Sequence, residues 1–227
     1  GKYIKNKKVG SCHYSDITTF SFHAVKNITT GEGGAVCTKD IKIHKNNKKL
    51  LSHGIDRENF KNKVIYIPKD LYYEQHILGY NYRITDIQAS LGISQLKRLE
   101  SNISKREKMY NFYKNSLAKI PEITFLKEIK GTKSGRHLAI ILIKKNLRNK
   151  LYEYLKKNKI YCKYHYIPIY RQPYHKKLFK LKNFSKFINS ENYMRNALSL
   201  PLHNNLSDND MNYIVEKINK FFHQKNK

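Results

Sequence analysis

The stretch that most constrains this chain runs from Ile17 to Thr38, Ile-Thr-Thr-Phe-Ser-Phe-His-Ala-Val-Lys-Asn-Ile-Thr-Thr-Gly-Glu-Gly-Gly-Ala-Val-Cys-Thr. Ile17, Thr18, Thr19, Phe20 and Phe22 are β-branched or aromatic and predict a buried strand. Gly31, Gly33 and Gly34 take positive φ or admit another chain closely, and Ala35 to Thr38 then predict a second strand. Lys26 falls on the tight connection between two apolar strands, where its ammonium is expected to lose part of its hydration. Desolvation disfavours the charged form and only the neutral amine attacks a carbonyl, so a lysine held in this way is a candidate nucleophile. The competing reading is a solvated charge, because the chain carries 45 Lys plus Arg.

The 227 residues suffice for one large or two small domains, and a hydrophobic content of 40% supports a packed core. The formal charge of +28 points to an acidic partner, either nucleic acid or a phosphate-bearing small molecule. The lysines are spread almost evenly, however, and runs such as Lys144-Lys145, Lys156-Lys157 and Lys176-Lys177 read as solvated faces. Nucleic-acid binding is therefore not the expected role. Cys12, Cys37 and Cys162 lie far apart without Cys-x-x-Cys spacing, which argues against a disulfide framework or a zinc site and for a reducing compartment. The longest apolar run, Leu138 to Ile143, is much shorter than a membrane span, and no signal-peptide pattern is visible. A cytoplasmic protein with no bound metal and no membrane contact is the expectation. The sequence opens at Gly1 rather than Met and reads as part of something longer.

Along the chain, Lys2 to Lys8 predict an exposed hairpin arm, and Asp40 to His53 a helix stopped by Gly54. Arg57 to His76 read as a loop with at most one short strand. Thr85 followed by Gln88 is a capping box, and the helical signal it opens continues to about Leu117, too long for one straight helix. A domain boundary near Glu100 divides the chain into 1–99 and 100–227. Beyond it, Phe125 to Ile129, His137 to Lys144 and Ile160 to Tyr166 predict strands, the last ended by Pro168. Helices are expected over Leu147 to Asn158, Tyr174 to Leu181, Glu191 to Ala197 and from Ser207 to about Phe222. The second half reads as an α/β unit of helices on a small sheet.

The sixteen positions Ser21-Phe-His-x-x-Lys-x-Ile-Thr-Thr-Gly-Glu-Gly-Gly-Ala-Val36 resemble the cofactor-lysine segment of the DegT/DnrJ/EryC1/StrS aminotransferases. Three further blocks follow in the family's order. Gly79-Tyr-Asn-Tyr-Arg83 with Asp86-Ile-Gln-Ala-Ser-Leu-Gly92 is similar to its Gly-x-Asn-x-Arg block. His165-Tyr-Ile-Pro-Ile-Tyr170 is similar to its His-Tyr-x-Pro segment, and Leu198-Ser-Leu-Pro-Leu-His203 to its Leu-Ser-Leu-Pro block.

The resemblance implies the C-terminal part of a fold-type I, pyridoxal 5′-phosphate-dependent aminotransferase. Residues 1–99 would be the end of the large cofactor-binding α/β domain, and 100–227 the small C-terminal α/β domain. It implies that Lys26 bonds to the cofactor aldehyde and then moves the proton between the substrate carbon and the cofactor. Ser21 would contact the cofactor phosphate, and Asn81 the phosphate in a neighbouring subunit, making a homodimer with shared sites. His23, Arg83, His165 and Tyr166 would bind substrate. The donor would be glutamate and the acceptor a UDP-linked 4-keto-6-deoxy-N-acetyl sugar of surface-glycan synthesis. The family's acidic partner of the pyridine nitrogen lies upstream of Lys7-Lys8-Val9-Gly10, before this sequence begins.

Each position keeps a plainer reading. Ser21 can bond to backbone in a strand, Asn81 can be a turn residue, Arg83 can pair with Asp86, and His165 and Tyr166 can belong to a core. Three other roles remain open: a different C3 or C4 nucleotide-sugar aminotransferase, a truncated non-catalytic remnant, and a basic nucleic-acid-binding module.

Overall fold

The structure is a computed structural model that describes residues 7–61, 66–144, 146–180 and 183–224. The hairpin arm expected at Lys2 to Lys8 falls almost wholly outside the described residues. The chain divides into two compact units, one of Gly1–Leu99 with Gly131–Lys133, the other of Glu100–Lys130 with Ser134–Lys227.

The first unit begins with an antiparallel hairpin of β1 (Ile17–Ser21) and β2 (Gly34–Thr38), with Thr19 opposite Val36 and Ser21 opposite Gly34. Helix α1 (Ile41–Leu51) is capped by Asp40, whose Oδ1 accepts the amides of Lys42 at 2.7 Å and Ile43 at 3.1 Å. A two-residue antiparallel pair follows, β3 (Ile55–Asp56) with β4 (Glu74–Gln75); β4 is the one short strand within residues 57–76, and its partner β3 precedes that stretch. Helix α2 (Asp86–Lys97) opens on the complete capping box. Thr85 Oγ1 accepts from Gln88 N at 3.3 Å, and Gln88 Oε1 accepts from Thr85 N at 3.1 Å.

The buried strand expected at Ile17 to Phe22 is corrected. β1 forms, but four of its five residues are exposed, Ile17 at 45%. Among the described residues its only strand partner is β2, and a two-stranded ribbon by itself supplies no second layer to cover its faces. Helix α2 likewise buries none of its residues, and Ile87 is 84% exposed. The buried side chains of this unit are polar: Thr30, Asp56 and Glu74. Asp56 takes Lys49 Nζ at 2.7 Å and the amides of Glu58 and Asn59 at 2.9 and 3.0 Å. Glu74 accepts from Tyr72 Oη at 2.9 Å and from Lys61 N at 2.6 Å, and its Oε2 is 2.7 Å from His76 Nε2. Polar groups this deep persist because each has a partner.

The second unit has the apolar core. Helix α3 (Leu99–Ser116) is separated from α2 at Arg98, where the long helical signal breaks. Strands β5 (Ile123–Phe125), β6 (Ala139–Ile143) and β7 (Ala197–Leu200) form an antiparallel sheet in the order β5-β6-β7. Helices α4 (Arg148–Lys157), α5 (Pro173–Leu178), α6 (Ile188–Asn196) and α7 (Asp208–His223) complete it. The alternating Ala139, Ile141 and Ile143 of β6 are fully buried with Leu151 and Leu155 of α4, Tyr113 of α3, Leu117 just after it, and Ile218 of α7. Tyr113 is tolerated there because its hydroxyl donates to Pro201 O at 3.0 Å. Burial also pushes the Cys162 thiol up to about 12.

Two strand readings are corrected in this unit. The strand expected at Phe125 to Ile129 lies earlier, because Ile123 pairs with Ile143 while Glu128 turns to the buried guanidinium of Arg136. Residues 160–166 form no strand. Ile160 and Cys162 do point into the core, but only Lys163 meets β7, in a single bridge to Ser199. One residue later Tyr164 is drawn to α4, where its ring lies 4.9 Å from that of Tyr152 and under the guanidinium of Arg148.

Glu191 on α6 is buried, and Arg171 and Tyr170 hold its carboxyl down to about 2. A carboxylate depressed below its ordinary 4.5 stabilises the fold fully above that pH and loses the contribution as pH falls toward about 2. Acid unfolding followed by circular dichroism should therefore steepen over that window in the natural protein and flatten in Glu191→Gln; equal acid limbs would contradict the assignment. Leu151→Ala should cost about 2–5 kcal/mol in urea unfolding, the range for emptying a fully buried leucine site.

Candidate active site

The loop that carries Lys26 hangs from one residue. Phe22 N donates to Gly33 O at 2.9 Å, and Phe22 O accepts both Thr30 N at 2.9 Å and Thr29 Oγ1 at 3.2 Å. Gly33 closes the loop at φ +151, and a Cβ there would collide with Thr30 Oγ1, which itself donates to Glu32 O at 2.7 Å. Inside this frame Lys26 N donates to His23 O at 2.9 Å, a tight turn that leaves the Lys26 side chain half-buried.

Ser21 and His23 flank that turn. Ser21 is the last paired residue of β1, and its Oγ accepts from His23 N at 3.4 Å. His23 Nδ1 accepts from Val25 N at 3.5 Å, which assigns the neutral ring's proton to Nε2. That nitrogen lies 3.7 Å from Glu32 Oε1 across the loop. The structure thus gathers Ser21, His23 and Lys26 on one loop, with Glu32 as a fourth member that no spacing in the sequence indicates.

Asn81 and Arg83 lie on the segment that enters α2. This segment is laid against the end of α1: Tyr80 N donates to Leu50 O at 2.7 Å, Tyr82 N to Leu51 O at 3.0 Å, and Ser52 bridges Asn81. Arg83 Nη1 donates to Ser52 Oγ at 3.1 Å rather than to Asp86, so the ion pair weighed for it from sequence does not form. The first turn of α2 reaches the lysine loop through Gln88 Nε2, which donates to Glu32 O at 3.2 Å. Gly92, a turn further on, is next to Thr30; a Cβ there would sit 3.0 Å from Thr30 Cγ2.

In the second unit, His165 and Tyr166 border a cavity of about 280 Å³. His165 Nδ1 is 2.8 Å from Oγ of Ser199, a buried residue of β7, while Tyr166 is 72% exposed. Tyr166 is therefore not the core aromatic that one sequence reading allowed. Ser199 was visible only as part of the Leu198-Ser-Leu-Pro201 block, with no sign that its hydroxyl would meet the imidazole.

The donor set on the lysine loop suits a ligand that carries both an aldehyde and a phosphate. A primary amine can bond the first, and a strand-end hydroxyl with an adjacent imidazole can meet the second. Among the described residues no group of three His, Cys, Asp or Glu side chains is placed to hold a metal ion, and no helix is long and apolar enough to cross a membrane.

The close approach behind Asn81 depends on Gly54 and Gly79. Gly54 sits at φ +75, and a Cβ on Gly79 would strike Gly54 N. Gly79→Ala should cost about 1–3 kcal/mol through this overpacking and speed hydrogen exchange at the Tyr80 and Tyr82 amides; unchanged exchange would contradict it.

Comparison with known proteins places these features in a family. The pattern of the DegT/DnrJ/EryC1/StrS aminotransferases matches residues 1–219. The UDP-4-amino-4,6-dideoxy-N-acetyl-beta-L-altrosamine transaminase of Campylobacter jejuni subsp. jejuni serotype O:2 is 35% identical over 222 residues, covering 96% of this chain and 55% of the relative. Helicobacter pylori PseC, an aminotransferase involved in the biosynthesis of pseudoaminic acid, superposes with a TM-score of 0.85 at 32% identity, over 99% of this chain and 57% of that one. The PLP form of Spr1654 from Streptococcus pneumoniae gives a TM-score of 0.83 at 29% identity, over 99% and 55%. The chain thus spans about half the length of the relatives it matches. Aminotransferases of this kind depend on pyridoxal phosphate and share the fold-type I architecture. Matched across nearly its whole length, this chain belongs to the DegT/DnrJ/EryC1/StrS aminotransferase family.

Proposed function

We propose that the chain is the C-terminal part of a pyridoxal 5′-phosphate-dependent sugar-nucleotide aminotransferase. Residues 1–99 are the end of its cofactor-binding domain and 100–227 its small domain. The reaction carries an amino group from glutamate to the C4 ketone of a UDP-linked 4-keto-6-deoxy-N-acetyl sugar, in pseudaminic-acid or related surface-glycan synthesis in the cytoplasm. The single observation that carries this reading is the half-buried Lys26 at the turn of a glycine-closed hairpin, inside the block that resembles the family's cofactor-lysine segment. The identity to a transaminase acting in such a pathway supports the substrate class.

Pyridoxal phosphate, when bound, supplies an electron sink for the carbanion formed at the substrate carbon. The rest falls to residues of the chain. Lys26 provides the amine that anchors the cofactor and the base that removes and returns the proton at the substrate carbon. Ser21 donates its hydroxyl to the cofactor phosphate. His23, its ring oriented by Val25 N and Glu32, stands beside the Lys26 turn and faces the substrate. Asn81, exposed on the segment entering α2, donates to the phosphate held by a second subunit, so the working form is a homodimer with shared sites. Arg83, fixed on Ser52, offers its remaining donors to a phosphate or carboxylate of substrate. His165 and Tyr166 shape the sugar pocket, the imidazole held by Ser199.

The test is reductive trapping. The protein is titrated with pyridoxal phosphate, reduced with borohydride, digested and mapped by mass spectrometry. Lys26 should be labelled first and to completion, and Lys26→Ala should remove that label while glutamate-dependent amination of the UDP-keto-sugar falls at least about 100-fold. Label spread over surface lysines with no preference for Lys26 would overturn the reading.

A further inference from the structure

Strand β7 divides its side chains between two environments. Leu198 and Leu200 enter the apolar cluster of the second unit, while Ala197 and Ser199 face the other way, and Ala197 lines the cavity that His165 and Tyr166 border. Ser199, on the same face as Ala197, is only 4% exposed. Its backbone is fixed from both edges. Ile140 of β6 is its partner on one side; on the other, Lys163 N donates to Ser199 O at 3.1 Å and Lys163 O accepts from Ser199 N at 2.9 Å. The hydroxyl has one place to go. Ser199 Oγ lies 2.8 Å from His165 Nδ1, and among the described residues it has no other hydrogen-bond partner.

That contact decides where the imidazole keeps its proton. A hydroxyl has one hydrogen to donate, and a neutral imidazole has one N–H and one lone pair. If Ser199 donates, Nδ1 accepts, the ring proton sits on Nε2, and both groups are satisfied. If Nδ1–H donated instead, the serine hydrogen would be left without an acceptor at a residue closed to water, which disfavours that tautomer by about tenfold or more. The ring is also braced by Tyr166, which packs edge-on against it with centroids 4.7 Å apart and planes at 85°. With Nδ1 turned to β7, the half-buried imidazole meets the cavity through the edge that carries Nε2.

We propose that Ser199 is a positioning residue for His165: its hydroxyl fixes the Nε2–H tautomer, and His165 thereby becomes a hydrogen-bond donor that receives an oxygen of the sugar substrate. The tautomer follows from the geometry around β7 alone, whereas the role toward the sugar rests on the reading of this cavity as the sugar pocket. A carbonyl, hydroxyl or phosphate oxygen accepts from Nε2–H, while an ammonium would set one donor against another. A pocket built to donate at this point discriminates against a ligand that lacks an acceptor there.

The experiment is a long-range ¹H–¹⁵N correlation spectrum of the whole chain labelled with ¹⁵N-histidine, which reads the protonation of each ring nitrogen separately. His165, assigned by the loss of its signals in His165→Gln, should show a bare Nδ1 and a protonated Nε2. In Ser199→Ala the two nitrogen shifts should move toward each other as the second tautomer gains population, while circular dichroism and borohydride trapping of Lys26 stay as in the natural protein. Ser199→Cys replaces the hydroxyl with a weak donor of similar size and gives the same reading if the alanine variant disturbs the strand. In glutamate-dependent amination, KM for the UDP-keto-sugar should rise about tenfold or more in Ser199→Ala with kcat little changed. His165 protonated at Nδ1, or ring shifts unmoved in both Ser199 variants, would overturn the positioning role. An unchanged KM beside an altered tautomer would overturn the donor role toward the sugar. Failure of the aminotransferase reading itself registers separately, as absent labelling of Lys26.

Discussion

The backbone of Phe22 is the fastening on which the first unit depends. Its N–H closes the loop on Gly33, and its carbonyl takes both the amide of Thr30 and the hydroxyl of Thr29. Those three bonds keep the hairpin from unravelling where β1 and β2 part, and they define the frame in which the 23–26 turn presents Lys26. They also set the carbonyl of Glu32 where Gln88 can reach it, which ties the capping box of α2 to the lysine loop. The segment holding Asn81 and Arg83 is then fixed between that helix and the end of α1.

The two units are stabilised by different physics. The second buries a continuous apolar cluster in which β6, β7, α4 and α7 each contribute side chains with little or no exposure. Two of its buried charges are answered by close partners: Arg136 by Glu107 and Glu128 while stacked 3.9 Å over Tyr110, and Glu191 by Arg171. The first unit buries polar groups instead. Lys49 and two backbone amides hold the Asp56 carboxyl far below the usual carboxylate range, and Glu74 is shared among Tyr72, His76 and the Lys61 amide. Networks of this kind hold one arrangement well, because removing any member strands the others in a site that water does not reach.

Local signals were legible where a few neighbouring residues suffice to define them. Thr85 with Gln88 reads as a capping box, and it forms; the helix expected from Ser207 opens on a second one, with Asp210. The hairpin around Lys26 was equally readable, since β-branched strands and glycines at positive φ act within a dozen residues. Residues 160–166 show the opposite case. Their alternation holds through Cys162, yet the cation–π attraction of Arg148 for Tyr164, from a helix sixteen residues earlier in sequence, takes the chain off β7 after one bridge. The family blocks marked His165 and Leu198 to Pro201 separately, but the bond between His165 and Ser199 depends on that bridge and on no local pattern.

Residue order by itself determined the lysine hairpin, the helix starts, the apolar stripes of the second unit and the family blocks, because each rests on dihedral preference, capping or periodicity over a short span. Tertiary structure alone decided which polar groups meet: Glu32 with His23, Ser52 with Arg83, and Ser199 with His165. Apart from Glu32 and His23, which share one loop, these partners come from separate elements, and in a chain with 45 Lys plus Arg no spacing distinguishes a cation that a partner holds from one left in water. Only the packing that removes solvent makes that distinction, by leaving a charge or a donor where a specific partner must answer it.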